Sequence, residues 1–255
     1  METVLVTGFN GFIGSHLIPQ LIQKYNVVGL STSKNSQLKI SQIKTDITKI
    51  DKKILPSKIS KIIHLAAISD VDFCQKNPLD ASHINILGTQ KILELARKHD
   101  SQVVFISTSH VFGSQKTNPI DECCQKNPTS IYAATKLAGE SLCESYSNSY
   151  GLNIGVMRLF SVYGPNSPKH SVTTNIIKQI ISKKIIKLGN IKSKRDLLEA
   201  TKPELTTSSL QPRISAIVGV KLTMSPTWLF SLPIDKLLSI PGPTIEENTL
   251  RLLES

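Results

Sequence analysis

Three glycines at three-residue spacing, Gly8, Gly11 and Gly14, stand between the apolar run Val4–Val6 and an amphipathic stretch carrying Phe12, Ile13, Leu17, Leu21 and Ile22. No other feature narrows the fold so far. A glycine-rich turn from a strand into a helix lets the backbone approach a ligand closely. The helix start that follows offers free N–H groups and a positive dipole end to an anion. The pattern predicts a seat for a pyrophosphate, with Gly14 admitting close helix–strand packing. Pro19 forfeits a bond to the Ser15 carbonyl, so a kink is expected there.

Val27–Leu30 reads as a second strand, followed by Ser31-Thr32-Ser33-Lys34. Dinucleotide folds often place an acidic residue here, on the ribose 2′-hydroxyl of NAD. Without that carboxylate, and with Ser31 and Lys34 at hand, the stretch leans towards NADP over NAD. A polar turn without such a role is the alternative. Ile43–Ile47, Ile62–Ala67, Val103–Ile106, Ile154–Leu159 and Ile185–Leu188 read as further strands. Asn77-Pro78 caps a helix that runs to about His99, and Val172, Ile176, Ile177 and Ile180 suggest another. Strands alternating with helices predict an α/β chain with a doubly wound parallel sheet.

Composition sorts the function classes. The net charge is +11, but residues 1–195 hold 25 Lys and Arg against 12 Asp and Glu, and the last 60 hold 5 against 7. The lysines are scattered, aromatics are 5%, and no nucleic-acid motif is present, so no nucleic-acid partner is expected. An anionic cofactor and substrate suit the same charge. No apolar run approaches the ~18–20 residues of a membrane span, and no signal peptide is seen. Cys74, Cys123, Cys124 and Cys143, with His64, His83 and His99, lack metal-ligand spacing, so no metal is expected and a cytoplasmic location with reduced thiols fits.

Two places carry chemistry. Thr108, flanked by Ser107 and Ser109, ends a strand at the edge where open α/β sheets bind ligands. Its hydroxyl can hydrogen-bond a substrate oxygen. In Ser130–Glu140, SIYAATKLAGE, Tyr132 and Lys136 stand four apart among strong helix formers, hence on one helix face. Free tyrosine has a pKa of about 10, and a nearby ammonium lowers it. Such a pair can pass a proton to or from a substrate oxygen.

Taken in order, TGFNGFIGSHL, Asp46-Ile47, HLAA, INILGTQKIL, STSHVFG, YAATKLAGE and MRLFSVYGP resemble the extended short-chain dehydrogenase/reductase family, in its nucleotide-sugar epimerase/dehydratase/reductase branch. Residues 69–89, with STSHVF and YAATKLAGE, are most similar to the dTDP-4-dehydrorhamnose reductases. MRLFSVYGP is closer to the epimerases and dehydratases, where Ser161 is commonly asparagine. The resemblance implies a Rossmann-type domain over 1–165 and the start of a substrate-binding region over 166–197. It implies Tyr132 as general acid/base, Lys136 as the group that lowers its pKa and holds the nicotinamide ribose, and Thr108 on the reacting oxygen. Gly8, Gly11, Phe12, Ile13 and Gly14 would line the pyrophosphate and Asp46 and Ile47 the adenine. Leu65, Ala66 and Ala67 would lie beside the cofactor. Asn85, Ser109 and Ser161 would face the substrate, and Arg195 its diphosphate.

After Arg195-Asp196-Leu197 the chain departs from the family pattern. Prolines number 7 in residues 1–195 and 6 in the last 60. An incomplete or aberrant substrate region is therefore expected, with 198–255 a poorly packed tail from truncation or a shifted frame. Two readings follow. One is an NAD(P)-dependent enzyme acting on a nucleotide-linked sugar, with a homodimer as its assembly. The other is a non-catalytic dinucleotide-binding or regulatory subunit, or an inactive truncated product, on the same fold.

Overall fold

A computed structural model of the protein describes residues 1–115, 120–168, 171–182 and 197–199. Six strands form one parallel sheet: β1 (Thr3–Thr7), β2 (Asn26–Ser31), β3 (Ser41–Lys44), β4 (Lys61–His64), β5 (Gln102–Thr108) and β6 (Ile154–Leu159). Their spatial order is β3-β2-β1-β4-β5-β6. The chain thus runs outward from β1 in one direction, returns, and runs outward in the other. The crevice at that reversal is where such sheets bind ligands.

The strands are near-continuous apolar runs because both faces are covered. Val4, Val6, Ile63 and Val104 pack on one face with Ile18 and Leu21 of helix α1 (Phe12–Leu21). Leu5, Ile62 and Phe105 pack on the other with Ile92 and Leu93 of helix α4 (Gly88–His99) and Cys143 and Tyr146 of helix α5 (Ile131–Tyr150). Between β4 and α4 lie the short helices α2 (Val71–Lys76) and α3 (Pro78–Ser82). Helix α4 (Gly88–His99) ends on Arg97, Lys98 and His99, cations suited to the negative end of a helix dipole. Helix α5 (Ile131–Tyr150) starts where the Ser130 hydroxyl accepts from the Ala133 N–H at 3.2 Å. It stops at Gly151, whose φ is +68°. Helix α6 (Val172–Ser182) and a parallel pair, β7 (Ser161–Tyr163) with β8 (Leu197–Glu199), complete the described elements.

The α/β, Rossmann-type reading holds, with local differences. Helix α1 runs through Pro19 without a break. Strand β3 ends at Lys44 and β4 at His64, so Asp46-Ile47 and Leu65–Ala67 lie in the turns beyond them. The single helix expected after Asn77 is three pieces, because His83–Leu87 forms a π-helical turn between α3 and α4. Such turns add one residue to the helix and re-aim its side chains. The expected strand Ile185–Leu188, Arg195 and, apart from Leu198 and Glu199, the tail 198–255 lie outside the described residues.

Candidate active site

The ends of β1, β2, β4, β5 and β6 open into one cleft of about 550 Å³, within the range of small-molecule and cofactor sites. Of the residues singled out in the sequence, Gly8, Gly11, Phe12, Ile13, Gly14, Ser31, Asp46, Ile47, Leu65, Ala66, Ala67, Thr108, Tyr132 and Lys136 line it. Lys34 is exposed and outside the lining; Ser109 and Ser161 are half-buried and also outside it. Ser69, Ser107, Ile106 and Phe160 line it without having been singled out. Ser69 and Phe160 carry no sequence signal of their own.

The glycine turn is pressed against the turn after β4. Gly8 has φ +69°, and a side chain there would stand 2.8 Å from the Ala66 nitrogen. Its N–H donates to the Leu30 carbonyl at 2.7 Å, fastening the turn to β2. Helix α1 then starts at Gly11 with no side-chain cap and no acidic residue in its first turn. A helix start left free in this way suits an anion. At the far end, Asp46 accepts from the Thr48 N–H at 2.8 Å and from its hydroxyl at 2.9 Å. The bond from the Thr48 N–H holds that carboxyl below its ordinary range. Ile47 fills the space over Gly88, where any side chain would collide with it.

A hydrogen-bond chain stiffens the floor. Thr89 gives its hydroxyl proton to the Asn85 carbonyl at 2.6 Å, so it accepts from His64 Nε2 at 3.1 Å. His64 Nδ1 is then an acceptor, and the Thr7 hydroxyl donates to it at 2.7 Å. Thr7 in turn accepts from the Ala66 N–H at 3.2 Å. Burial and the Lys136 charge push the imidazole down to about 3, so it is neutral near pH 7. Asn85 belongs to the same floor. Its Oδ1 accepts from the Ile68 N–H at 2.8 Å, and its Nδ2 donates to the Ile68 carbonyl and the Thr135 hydroxyl, both at 3.0 Å. Both faces of its amide are spent, so this buried residue ties the turn after β4 to α5 and does not face the cleft as a substrate ligand.

The chemistry-bearing pair differs from the sequence expectation in one respect. Burial pushes the Tyr132 phenol up to about 12, while a hydrogen bond to Thr108 pulls the other way. The expected lowering by Lys136 is not seen: burial is the largest influence on the phenol, and the Lys136 ammonium sits over the Phe105 ring, 4.1 Å from its centre. Burial pushes Lys136 itself down to about 8, and Cys143 and Glu140 act against that shift. Among the described residues the lining holds one carboxylate, Asp46, and one ammonium, Lys136.

These residues fit a nicotinamide dinucleotide: an uncapped helix start behind glycines, a carboxylate and apolar wall at one end, and Thr108, Tyr132 and Lys136 at the other. The chain matches the family described as "NAD dependent epimerase/dehydratase family" over residues 4–201. An uncharacterized UDP-glucose epimerase of Bacillus subtilis (strain 168) is 36% identical over 214 residues, covering 76% of this chain and 67% of that protein. UDP-glucuronate 4-epimerase 1 of Arabidopsis thaliana is 32% identical over 218 residues, covering 76% of this chain and 50% of that protein. This chain thus spans about two thirds of the bacterial relative and half of the plant one. Among solved structures, the UDP-glucuronic acid 4-epimerase of Bacillus cereus, in complex with UDP-glucuronic acid and NAD, superposes with a TM-score of 0.71. It is 30% identical, over 84% of this chain and 73% of that one.

Proposed function

The chain belongs to the NAD dependent epimerase/dehydratase family, and from that premise we propose that it interconverts a nucleotide-linked sugar and its C4 epimer. The observation that carries this reading is the cleft wall around Tyr132. Loss of water from a sugar needs an acid and a base in addition to the group that works on the reacting oxygen. At this end, among the described residues, the wall offers hydroxyls from Ser69 and Thr108 beside Tyr132 and Lys136, the Ser107 hydroxyl being spent on Glu140, and the one carboxylate lies at the other end on Thr48. That inventory suits a reaction in which a single proton leaves an oxygen and comes back.

When bound, the nicotinamide reversibly accepts one hydrogen with two electrons from the sugar carbon. Tyr132, in its phenolate form, takes the hydroxyl proton as that carbon becomes a ketone and returns it when the alcohol is restored on the opposite face. Thr108 holds the oxygen and, through its bond to the phenol, favours the phenolate. Lys136 supplies the positive charge at the same edge and holds the nicotinamide ribose. The Gly8–Gly14 turn receives the pyrophosphate. Ser31, with Lys34 three residues on, leaves room for a 2′-phosphate, so NADP is slightly favoured over NAD. We propose a homodimer as the assembly, to be checked by mass in solution.

A second reading, reduction of a 4-keto sugar, is favoured by the likeness of residues 69–89 and 132–140 to dTDP-4-dehydrorhamnose reductases. One experiment separates them. The full chain is incubated with UDP-glucose, UDP-glucuronic acid and UDP-N-acetylglucosamine and, separately, with a nucleotide-linked 4-keto sugar and reduced cofactor; products are followed by NMR while cofactor absorbance is recorded. C4 epimers without net cofactor change support the proposal. Stoichiometric oxidation of the reduced cofactor by a 4-keto sugar supports the reductase. Cofactor binding with neither reaction supports a non-catalytic subunit.

A further inference from the structure

We propose that Glu140 and Arg158 form a positioning pair whose charges set the protonation of Lys136. The proposal rests on the reading of Lys136 as part of the active site. Glu140 stands one turn beyond Lys136 on α5 and is 4% exposed. Its carboxylate accepts from the Ser107 hydroxyl at 2.5 Å and from Arg158 Nε and Nη2 at 3.0 and 2.9 Å, with Lys126 at 3.4 Å. Arg158, on β6, also donates to the Glu122 carbonyl at 3.3 Å and lies over the Phe112 ring. Burial works against the Glu140 charge, but Arg158 and Ser107 outweigh it and hold the carboxyl below its ordinary range.

A buried ion pair is a weak source of stability, because desolvation offsets most of its Coulombic gain. Its distinctive effect here is on the neighbour one turn away. The groups around Lys136 are Tyr132, Glu140 and Cys143 on its own helix, Phe105 and Ser107 on β5, and His64 on β4, with Cys74 of α2 beside Tyr132. The Cys143 thiol is pushed up to about 12 by burial, and His64 is neutral. Of these groups, Glu140 is the one negatively charged at neutral pH. It keeps the buried ammonium protonated to higher pH than burial alone would allow, and Arg158 tempers that effect by neutralising part of the carboxylate's charge.

The pair makes two predictions of opposite sign. The full chain, labelled with ¹³C at lysine Cε, is titrated by NMR, with the Lys136 resonance assigned by its loss in Lys136→Met. Glu140→Gln should lower the Lys136 midpoint by about one pH unit, and Arg158→Gln should raise it. Circular dichroism and melting check that each variant is folded; if Glu140→Gln does not fold, Arg158→Gln carries the test. A Lys136 midpoint unmoved in a folded variant, or moved the same way by both, overturns the proposal. Shifts of opposite sign in a chain that neither binds a dinucleotide nor turns over a nucleotide sugar would leave the pair standing and remove the functional reading instead.

Discussion

The ammonium nitrogen of Lys136 lies 4.1 Å from the centre of the Phe105 ring, and Gly139 makes that seat possible. A side chain at 139 would begin 2.6 Å from the tip of the ring. Phe105 is fully buried, so the ring has little room to withdraw. Gly139→Ala improves helix propensity by about 1 kcal/mol, but overpacking of a filled core costs about 1–3 kcal/mol. We expect a net loss of up to about 2 kcal/mol by urea unfolding, together with reduced turnover. An alanine variant more stable than the parent would show that the ring moves freely.

Tyr132→Phe removes one oxygen and leaves the helix and its packing in place. Turnover should fall by about 10²–10⁴-fold, while the dissociation constant for the dinucleotide changes little. A variant within threefold of the parent would take the acid/base role away from Tyr132.

His64 gives the chain a particular acid sensitivity. Its imidazole titrates near 6.5 when unfolded and at about 3 when folded. The unfolded state therefore binds the extra proton between those values, so stability is full above pH 6.5 and declines as pH falls towards 3. The slope should be about 1.4 kcal/mol per pH unit for one proton. Between pH 6.5 and 5, where carboxylates with lowered pKa stay ionised, His64→Gln should flatten that slope, whatever its effect on absolute stability. Denaturant unfolding at the two pH values measures it, and an unchanged slope would mean that another group is responsible.

Cofactor choice is testable at Lys34. Dissociation constants for NADPH and NADH, measured at one ionic strength, should favour NADPH, and Lys34→Ala should weaken NADPH alone. Tighter NADH binding would reverse the preference. Equal weakening of both cofactors would mark Lys34 as a general surface charge.

The sheet was legible because its signals are local. Val4–Val6, Val27–Leu30 and Val103–Ile106 are apolar runs, and Gly8, Gly11 and Gly14 announce the turn at which the sheet reverses. The cleft wall followed from the same motifs. What spacing could not convey was where side chains far apart in the chain spend their bonds. Asn85 was expected at the substrate, yet its amide is consumed by Ile68 and Thr135. Glu140 was visible one turn after Lys136, but its partner Arg158 comes from another strand. Spacing puts Lys136 beside Tyr132 on the helix, but burial by the rest of the fold has the larger effect on the phenol.

The π-helical turn and the start of α4 bear on how the two ends of the cleft are held together. Asn85 grips α5 through Thr135, beside Lys136, and three residues later Gly88 receives Ile47 from the opposite end. Both ends of the cleft are thus fastened to adjacent turns of one helix. Inserting or deleting one residue between 85 and 88 would turn the two fastenings against each other while leaving every lining side chain in the sequence.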